Sequence, residues 1–210
     1  MYTRPEFAPL STDEVFRLIE ATVFATIVTA APDGLFASHL PFILDRGRGP
    51  HGTLVSHLAR ANAHSRLIAA GSQTLVVFLG PHGYISSSWY PRNPTRDSAP
   101  TWNFAVVHCH GRPVPLDESA TARHLRQLVD FLEEGREDRW HMRELGPGGM
   151  KRRMPRILGF ELPIERIEAK FKLGQDERPY DTSAAIAALG QRNPVLADMM
   201  RKHNAHRMVP

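Results

Sequence analysis

The segment from Ser56 to His64 reads "SHLARANAH" and gathers His57, Arg60 and Asn62 where an apolar run gives way to a helix start. A helix start exposes unpaired backbone N–H groups and these side chains add donors, so the combination suits an anionic group such as a phosphate. The same residues also have plainer uses, Arg60 at the surface and Asn62 as a helix cap. Two further runs, "YISSSWY" at 84–90 and "PTWN" at 100–103, supply hydroxyls, indoles and an amide. Such groups line pockets for planar, hydrogen-bonding rings, although core burial is the commoner fate of residues like Trp89 and Trp102. His108, Cys109 and His110 are potential metal ligands, but the two histidines share a strand face with no third ligand at a familiar spacing, so no metal is expected. His39, in "SHLPF", reads as a hydrogen-bonded strand residue. Cys109 falls inside an apolar strand, where a thiol is inert. The chain has no G-x-S-x-G elbow, no G-x-x-x-x-G-K-[ST] loop and no G-x-G-x-x-G after a strand, so no catalytic side chain is assigned and difficult chemistry would fall to a bound cofactor.

The elements that must position these residues are mostly strands. After "STDE", where Ser11 or Thr12 caps a short helix, the runs 24–30 and 35–44 face each other across Pro32, Asp33 and Gly34 as a hairpin. A third strand ends near Ala59, a short helix carries Leu67 and Ile68 and stops at Gly71, and strands follow at 74–80 and 84–90. The loop from Pro91 to Pro100 carries three prolines and must leave the sheet. In "TWNFAVVHC" Trp102, Phe104, Val106 and His108 alternate with Asn103, Ala105, Val107 and Cys109. An amphipathic helix capped by Asp117 or Ser119 follows, with Leu125, Leu128, Val129 and Leu132 on one face and Gly135 to end it. The polar stretch 136–150 is a connector, strand character returns over 157–173, and the last residues form two short helices. Those helices read either as helix-turn-helix, with Arg201 and Lys202 on the recognition helix, or as a docked pair whose apolar face is Ile186, Leu189, Leu196, Met199 and Met200; docking is the stronger reading. Short strands of mixed hydrophobicity around one long helix point to a mainly β, α+β chain built on a small antiparallel barrel, without βαβ units.

With 210 residues, 42% of them hydrophobic, the chain can bury a sizeable core. No run approaches the roughly 18 apolar residues of a membrane span, and "MYTRPEFAPLSTDE" lacks the apolar centre of a signal peptide. Membrane partners are therefore not expected and a cytoplasmic location is. The single cysteine excludes an internal disulfide framework. The net charge is only +4, yet 22 of the 26 basic residues are arginine, which suits phosphate. The cluster Lys151, Arg152, Arg153 and Arg156 reads as a solvated face, with nucleic-acid contact as the alternative.

Taken together, "SHLPF" at 38–42, "HLARAN" at 57–62, "GPHGYISSSWY" at 80–90, "PTWNFAVVH" at 100–108, "ILGFEL" at 157–162 and "KFKLGQ" at 170–175 resemble, in order and spacing, the PaiB-type FMN-binding negative transcriptional regulators. The resemblance covers nearly the whole chain. It implies an FMN-binding split β-barrel of the pyridoxamine-phosphate-oxidase type over 1–180, a C-terminal helical appendage over 181–210 packed on it, and FMN at the interface of a homodimer. By position it assigns the FMN phosphate to His57, Arg60 and Asn62, and the ring or ribityl side to Ser38, His39 and Ser56. Trp102, Asn103, Lys172 and Gln175 are the candidates from the dimer interface. DNA or another regulator would be the partner. The rival readings are an FMN-dependent oxidoreductase of the same fold, and a haem-binding split barrel with His39, His57 or His108 as axial ligand. The chain departs from the family pattern at Arg4, Ser65 and Ser87, where proline, tryptophan and proline are common. It also has "KLGQD" for "KLSQN", so that Gly174 lacks a hydroxyl and Asp176 adds a carboxylate that works against an anionic ligand.

Overall fold

A computed structural model describes residues 1–91 and 98–208, so the proline-rich loop expected at 91–100 lies largely outside the described residues. Eight strands make the sheet: β1 (Phe24–Ala31), β2 (Gly34–Pro41), β3 (Ile43–Asp45), β4 (Thr53–Ala59), β5 (Thr74–Ile85), β6 (Thr101–Gly111), β7 (Val114–Pro115) and β8 (Ile157–Lys172). Their order is β2-β1-β5-β6-β8-β4-β3, with β7 paired to β8. The α-helices are α1 (Thr12–Thr22), α2 (Ser65–Ala69), α3 (Glu118–Leu132), α4 (Gly149–Arg153), α5 (Pro179–Leu189) and α6 (Pro194–Asn204). The chain resolves into two compact units. A central unit holds Thr22–Phe78 and His108–Ile167, and a terminal unit holds Met1–Ala21, Leu79–Val107 and Glu168–Pro210.

In the central unit the β1–β2 hairpin turns on Pro32 and Asp33, with Ala31 opposite Gly34. Gly34 has φ +130°, a backbone region that favours glycine. β4 lies between β3 and β8, and the core is built from side chains such as Ile27, Phe42, Leu54, Phe78, Phe160 and Leu162. Phe42 packs edge-on against Phe78 and Phe160, with centroids 5.9 and 6.1 Å away. The strand expected over 35–44 is broken. Pro41 has no N–H to continue the ladder, and the Phe42 amide donates to Val23 O at 2.9 Å, so Ile43–Asp45 separates and pairs with β4. Asp117 caps α3 as expected, its Oδ1 accepting from Ala120 N at 2.6 Å. The helix buries Thr121, His124 and Leu128, whereas Leu132, expected on the inner face, is 49% exposed.

In the terminal unit Ser11 caps α1, its Oγ accepting from Glu14 N at 3.2 Å. The strand expected over 84–90 is instead the continuation of β5 through Gly80 to Ile85. The Ser86 hydroxyl then accepts from Ser88 N at 3.2 Å and folds Ser87–Trp89 into a 3-10 turn. In β6 Asn103, Ala105 and Val107 are buried on one face as expected, and Val106 of the other face is buried as well. The C-terminal helices are docked: Ile186, Leu189, Leu196, Ala197 and Met200 are buried, Met199 less so. Asn193 caps α6 through Leu196 N, and Asn204 Nδ2 donates to Leu173 O at 3.0 Å, tying the helix to the end of β8. The cations of the would-be recognition helix are engaged, Arg201 with Asp198 and Lys202 with Glu14.

Candidate functional site

On β4 the register partner of His57 is Gly159 of β8. A Cβ on Gly159 would stand 2.3 Å from Thr121 Oγ1, so only glycine lets α3 lie this close to the strand. One turn further along α3, His124 reaches the sheet, and its Nε2 lies 3.2 Å from His57 Nδ1. His124 is 2% exposed and its buried Nδ1 has no hydrogen-bond partner among the described residues. Burial, with His57 beside it, pushes the His124 pKa down to about 4, and burial lowers His57 as well. The pair is neutral near neutral pH.

His57 also lines a cleft of about 340 Å³ with Leu58, Ala59, Arg153, Arg156 and Ile157. Arg153 closes α4 and donates through Nη1 to Gly149 O at 3.0 Å. The Arg60 amide donates to Arg156 O at 2.8 Å, which brings the backbones of Arg60 and Arg156 together at the end of the β4–β8 ladder. The residues around the cleft include an imidazole and two arginines, side-chain types that bind phosphate, while most of its exposed surface is apolar. At the helix start expected to add amides, α2 has only five residues, and several of the amides before and within it are engaged: Asn62 N on Ala59 O, His64 N on Asn62 Oδ1, Ser65 N on Asn62 O and Leu67 N on His64 O.

Ser38 and Asn62 are brought together, Asn62 Nδ2 donating to Ser38 Oγ at 3.2 Å. Behind them runs a buried chain whose direction is set at one end by a carbonyl. Thr74 Oγ1 donates to Ser72 O at 2.9 Å and so accepts from Thr29 Oγ1 at 2.7 Å. Thr29 then accepts from His64 Nε2 at 2.9 Å, and His64 Nδ1 accepts from Ser38 Oγ at 3.0 Å. Ser56 is fully buried with its hydroxyl donating to Pro41 O at 2.7 Å, and His39 lies at the surface, Nδ1 3.0 Å from Thr26 Oγ1.

The other sequence candidates lie in the terminal unit. Lys172 Nζ donates to Thr101 Oγ1 at 2.9 Å and Asn103 Oδ1 at 3.4 Å, and faces Asp176 at 3.6 Å. Gln175 closes the turn after β8, accepting from Leu173 N and donating to Phe171 O. Trp102 is not a core residue: it is 51% exposed, stacks on His82 at 5.9 Å and meets the edge of Tyr84. Cys109 is fully buried and its thiol pKa is pushed up to about 12 by burial, the inert state expected.

His124, His64 and the cleft role of Arg153 and Arg156 escaped the sequence reading. One signal was available, since a glycine inside the apolar run "ILGFEL" marks a close approach, and His124 sits on the same helical face as Thr121 and Leu128. A second cleft of about 670 Å³ is lined by His124 with Arg46, Arg48 and Arg123, where Arg48 is held by Glu161 at 2.8 Å.

Residues 1–166 match the family model described as "Putative FMN-binding domain". The chain is 31% identical over 195 residues to the protease synthase and sporulation protein PAI 2 of Bacillus subtilis, covering 92% of each protein. It is 39% identical over 110 residues to the uncharacterized protein YKL070W of Saccharomyces cerevisiae, 50% of this chain and 64% of that one. Among solved structures, the FAD and heme binding protein from Mycobacterium smegmatis superposes with a TM-score of 0.58 at 17% identity, over 78% of this chain and 72% of that one. The flavocytochrome Anf3 from Azotobacter vinelandii gives 0.57 at 19% identity, over 81% and 72%. At these identities the likeness concerns the fold, and the fold is the mainly β split barrel with helices expected from the sequence.

Proposed function

Because the chain belongs to the FMN-binding-domain family that its residues 1–166 match, we propose that it binds FMN and works as a dimeric negative transcriptional regulator of the PaiB type. The observation that carries the flavin part is the cleft that His57 lines with Arg153 and Arg156, at the strand end where the Arg60 amide bonds Arg156 O. It offers the cationic donors that a phosphate monoester needs, at the end of the strand where the family resemblance sets the phosphate. Asn62 stays on the phosphate side and holds Ser38 by its hydrogen bond, and Ser38 serves the ribityl or ring side with His39 and Ser56. When bound, FMN would supply a redox-active ring; the chain's own residues bind and orient it.

A second copy of the chain is the proposed partner. The cluster His82, Tyr84 and Trp102, with Tyr84 and Trp102 half exposed, supports an interface in the terminal unit, where Asn103, Lys172 and Gln175 also lie. Regulation would pass to DNA or to another regulator through a surface other than α6, whose apolar face is buried and whose cations are engaged. A cytoplasmic location belongs to the same proposal. No helix among the described residues is long and apolar enough to cross a membrane.

The test is a titration of the purified protein with FMN and riboflavin, followed by flavin absorption and fluorescence. FMN is expected to bind, and Arg153→Ala with Arg156→Ala to weaken it by about tenfold or more while riboflavin changes little, since a charge-assisted hydrogen bond contributes about 1.5–3 kcal/mol and 1.4 kcal/mol is a factor of ten. A protein that takes up no FMN would overturn the flavin reading.

A further inference from the structure

His57 and His124 share one hydrogen bond, and which ring donates in it decides what His57 shows to the cleft. In one arrangement His57 Nδ1–H donates to His124 Nε2. The neutral His124 must then carry its proton on Nδ1, where the structure offers no acceptor and no solvent. In the other, His124 Nε2–H donates to His57 Nδ1. The bare Nδ1 lone pair of His124 is then the buried orphan, and His57 carries its proton on Nε2. Either orphan loses its hydration, but among backbone groups an orphaned buried N–H is rarer than an under-satisfied acceptor, and the same ordering favours the second arrangement here. The second arrangement also keeps both rings in the Nε2–H form, the intrinsically favoured neutral tautomer of imidazole.

We propose that His124 is a positioning residue: by donating through Nε2 it holds His57 as the Nε2–H tautomer, so that a neutral N–H donor is left for a phosphate oxygen at the cleft His57 lines with Arg153 and Arg156. The proposal rests on the flavin reading only for the identity of the phosphate. His57 Nδ1 is engaged by His124, which leaves Nε2 as the ring's remaining hydrogen-bonding atom, and His57 lines the cleft with Arg153 and Arg156. A neutral donor there hydrogen-bonds an anion without placing a buried positive charge beside the two exposed arginines. Burial lowers the pKa of both rings and so favours their neutral forms near neutral pH, where the tautomer becomes the variable. Gly159 is part of the same device, because the missing side chain opposite His57 is what admits α3 and with it His124.

The experiment is long-range proton–nitrogen correlation on protein with nitrogen-labelled histidine, near neutral pH, before and after addition of inorganic phosphate and of FMN. In the wild type His57 should show a bare Nδ1 and a protonated Nε2, and the Nε2 signal should shift when either ligand is added. His124→Leu should let His57 exchange between tautomers and weaken phosphate and FMN by about tenfold, whereas His124→Gln, whose amide can still donate to Nδ1, should retain the tautomer and most of the affinity. A wild-type His57 protonated on Nδ1 overturns the proposal, and this reading needs no variant to fold. An unchanged tautomer in a folded His124→Leu overturns it equally. If His57 shows the expected tautomer and answers phosphate but FMN does not bind, the positioning of His57 stands and the flavin reading is the one that fails.

Discussion

At the scale of single residues, what sets His124 apart from the equally buried His64 is its Nδ1, which has no hydrogen-bond partner among the described residues, whereas both ring nitrogens of His64 are bonded. The folded pKa of His124, about 4, lies below the ordinary 6.5. The unfolded chain therefore takes up a proton below about 6.5 that the folded chain refuses until about 4. Its contribution to stability is complete above the upper value and is lost as the pH falls through that window, at up to about 1.4 kcal/mol per pH unit. His57, lowered by burial, acts in the same sense. Urea denaturation across this range should show stability falling towards acid, and His124→Gln should remove much of the slope; an equal slope in the variant would refute the assignment. Two departures from the family pattern also make sense at this scale. Gly174 has φ +87°, where a side chain is strained, and the added carboxylate of Asp176 is answered by Lys172 at 3.6 Å.

At the scale of elements, the contact between α3 and the β4–β8 ladder does most to shape the site. It depends on Gly159, since the Cβ of any other residue would run into Thr121 Oγ1, Cγ2 and Cβ at once. Gly159→Ala is expected to cost about 1–3 kcal/mol by overpacking and to displace α3, loosening the His57–His124 bond. Thermal unfolding reads the first effect and the His57 nitrogen shifts the second; a variant as stable as the wild type with unchanged shifts would show that α3 is not held by this contact. The α5–α6 pair makes a contrasting case. Its helical periodicity was legible, and so was the docking face, because Ile186, Leu189, Leu196 and Met200 recur at helical spacing. The break at Phe42 and the extension of β5 through Gly80–Ile85 were not legible, because they turn on where the Phe42 and Ser88 amides find acceptors.

At the scale of the whole molecule the proposal needs two chains. Tyr84 and Trp102 are 50% and 51% exposed, which is costly for side chains of this size unless something covers them. Light scattering of the purified protein should give the mass of a dimer with one FMN per chain. Tyr84→Ala with Trp102→Ala should shift the mass towards the monomer and lower FMN occupancy with it, whereas a dimer unaffected by the double change would move the interface elsewhere.

By itself the sequence determined the strand-rich class, the hairpin at Pro32–Asp33 and the helix starts near Ser11 or Thr12 and Asp117 or Ser119, and it offered the neighbourhood of His57, Arg60 and Asn62 as a candidate place for an anion. These follow from periodicity, from turn chemistry and from residues close together in the chain. Only the tertiary structure decided that Arg153 and Arg156 join His57 in one cleft, that His124 stands behind it, and that His64 links Ser38 to Thr29. Hydrogen bonds between residues 35 or 67 positions apart depend on strand register and on how closely a helix can approach a glycine, and neither leaves a local pattern in the chain.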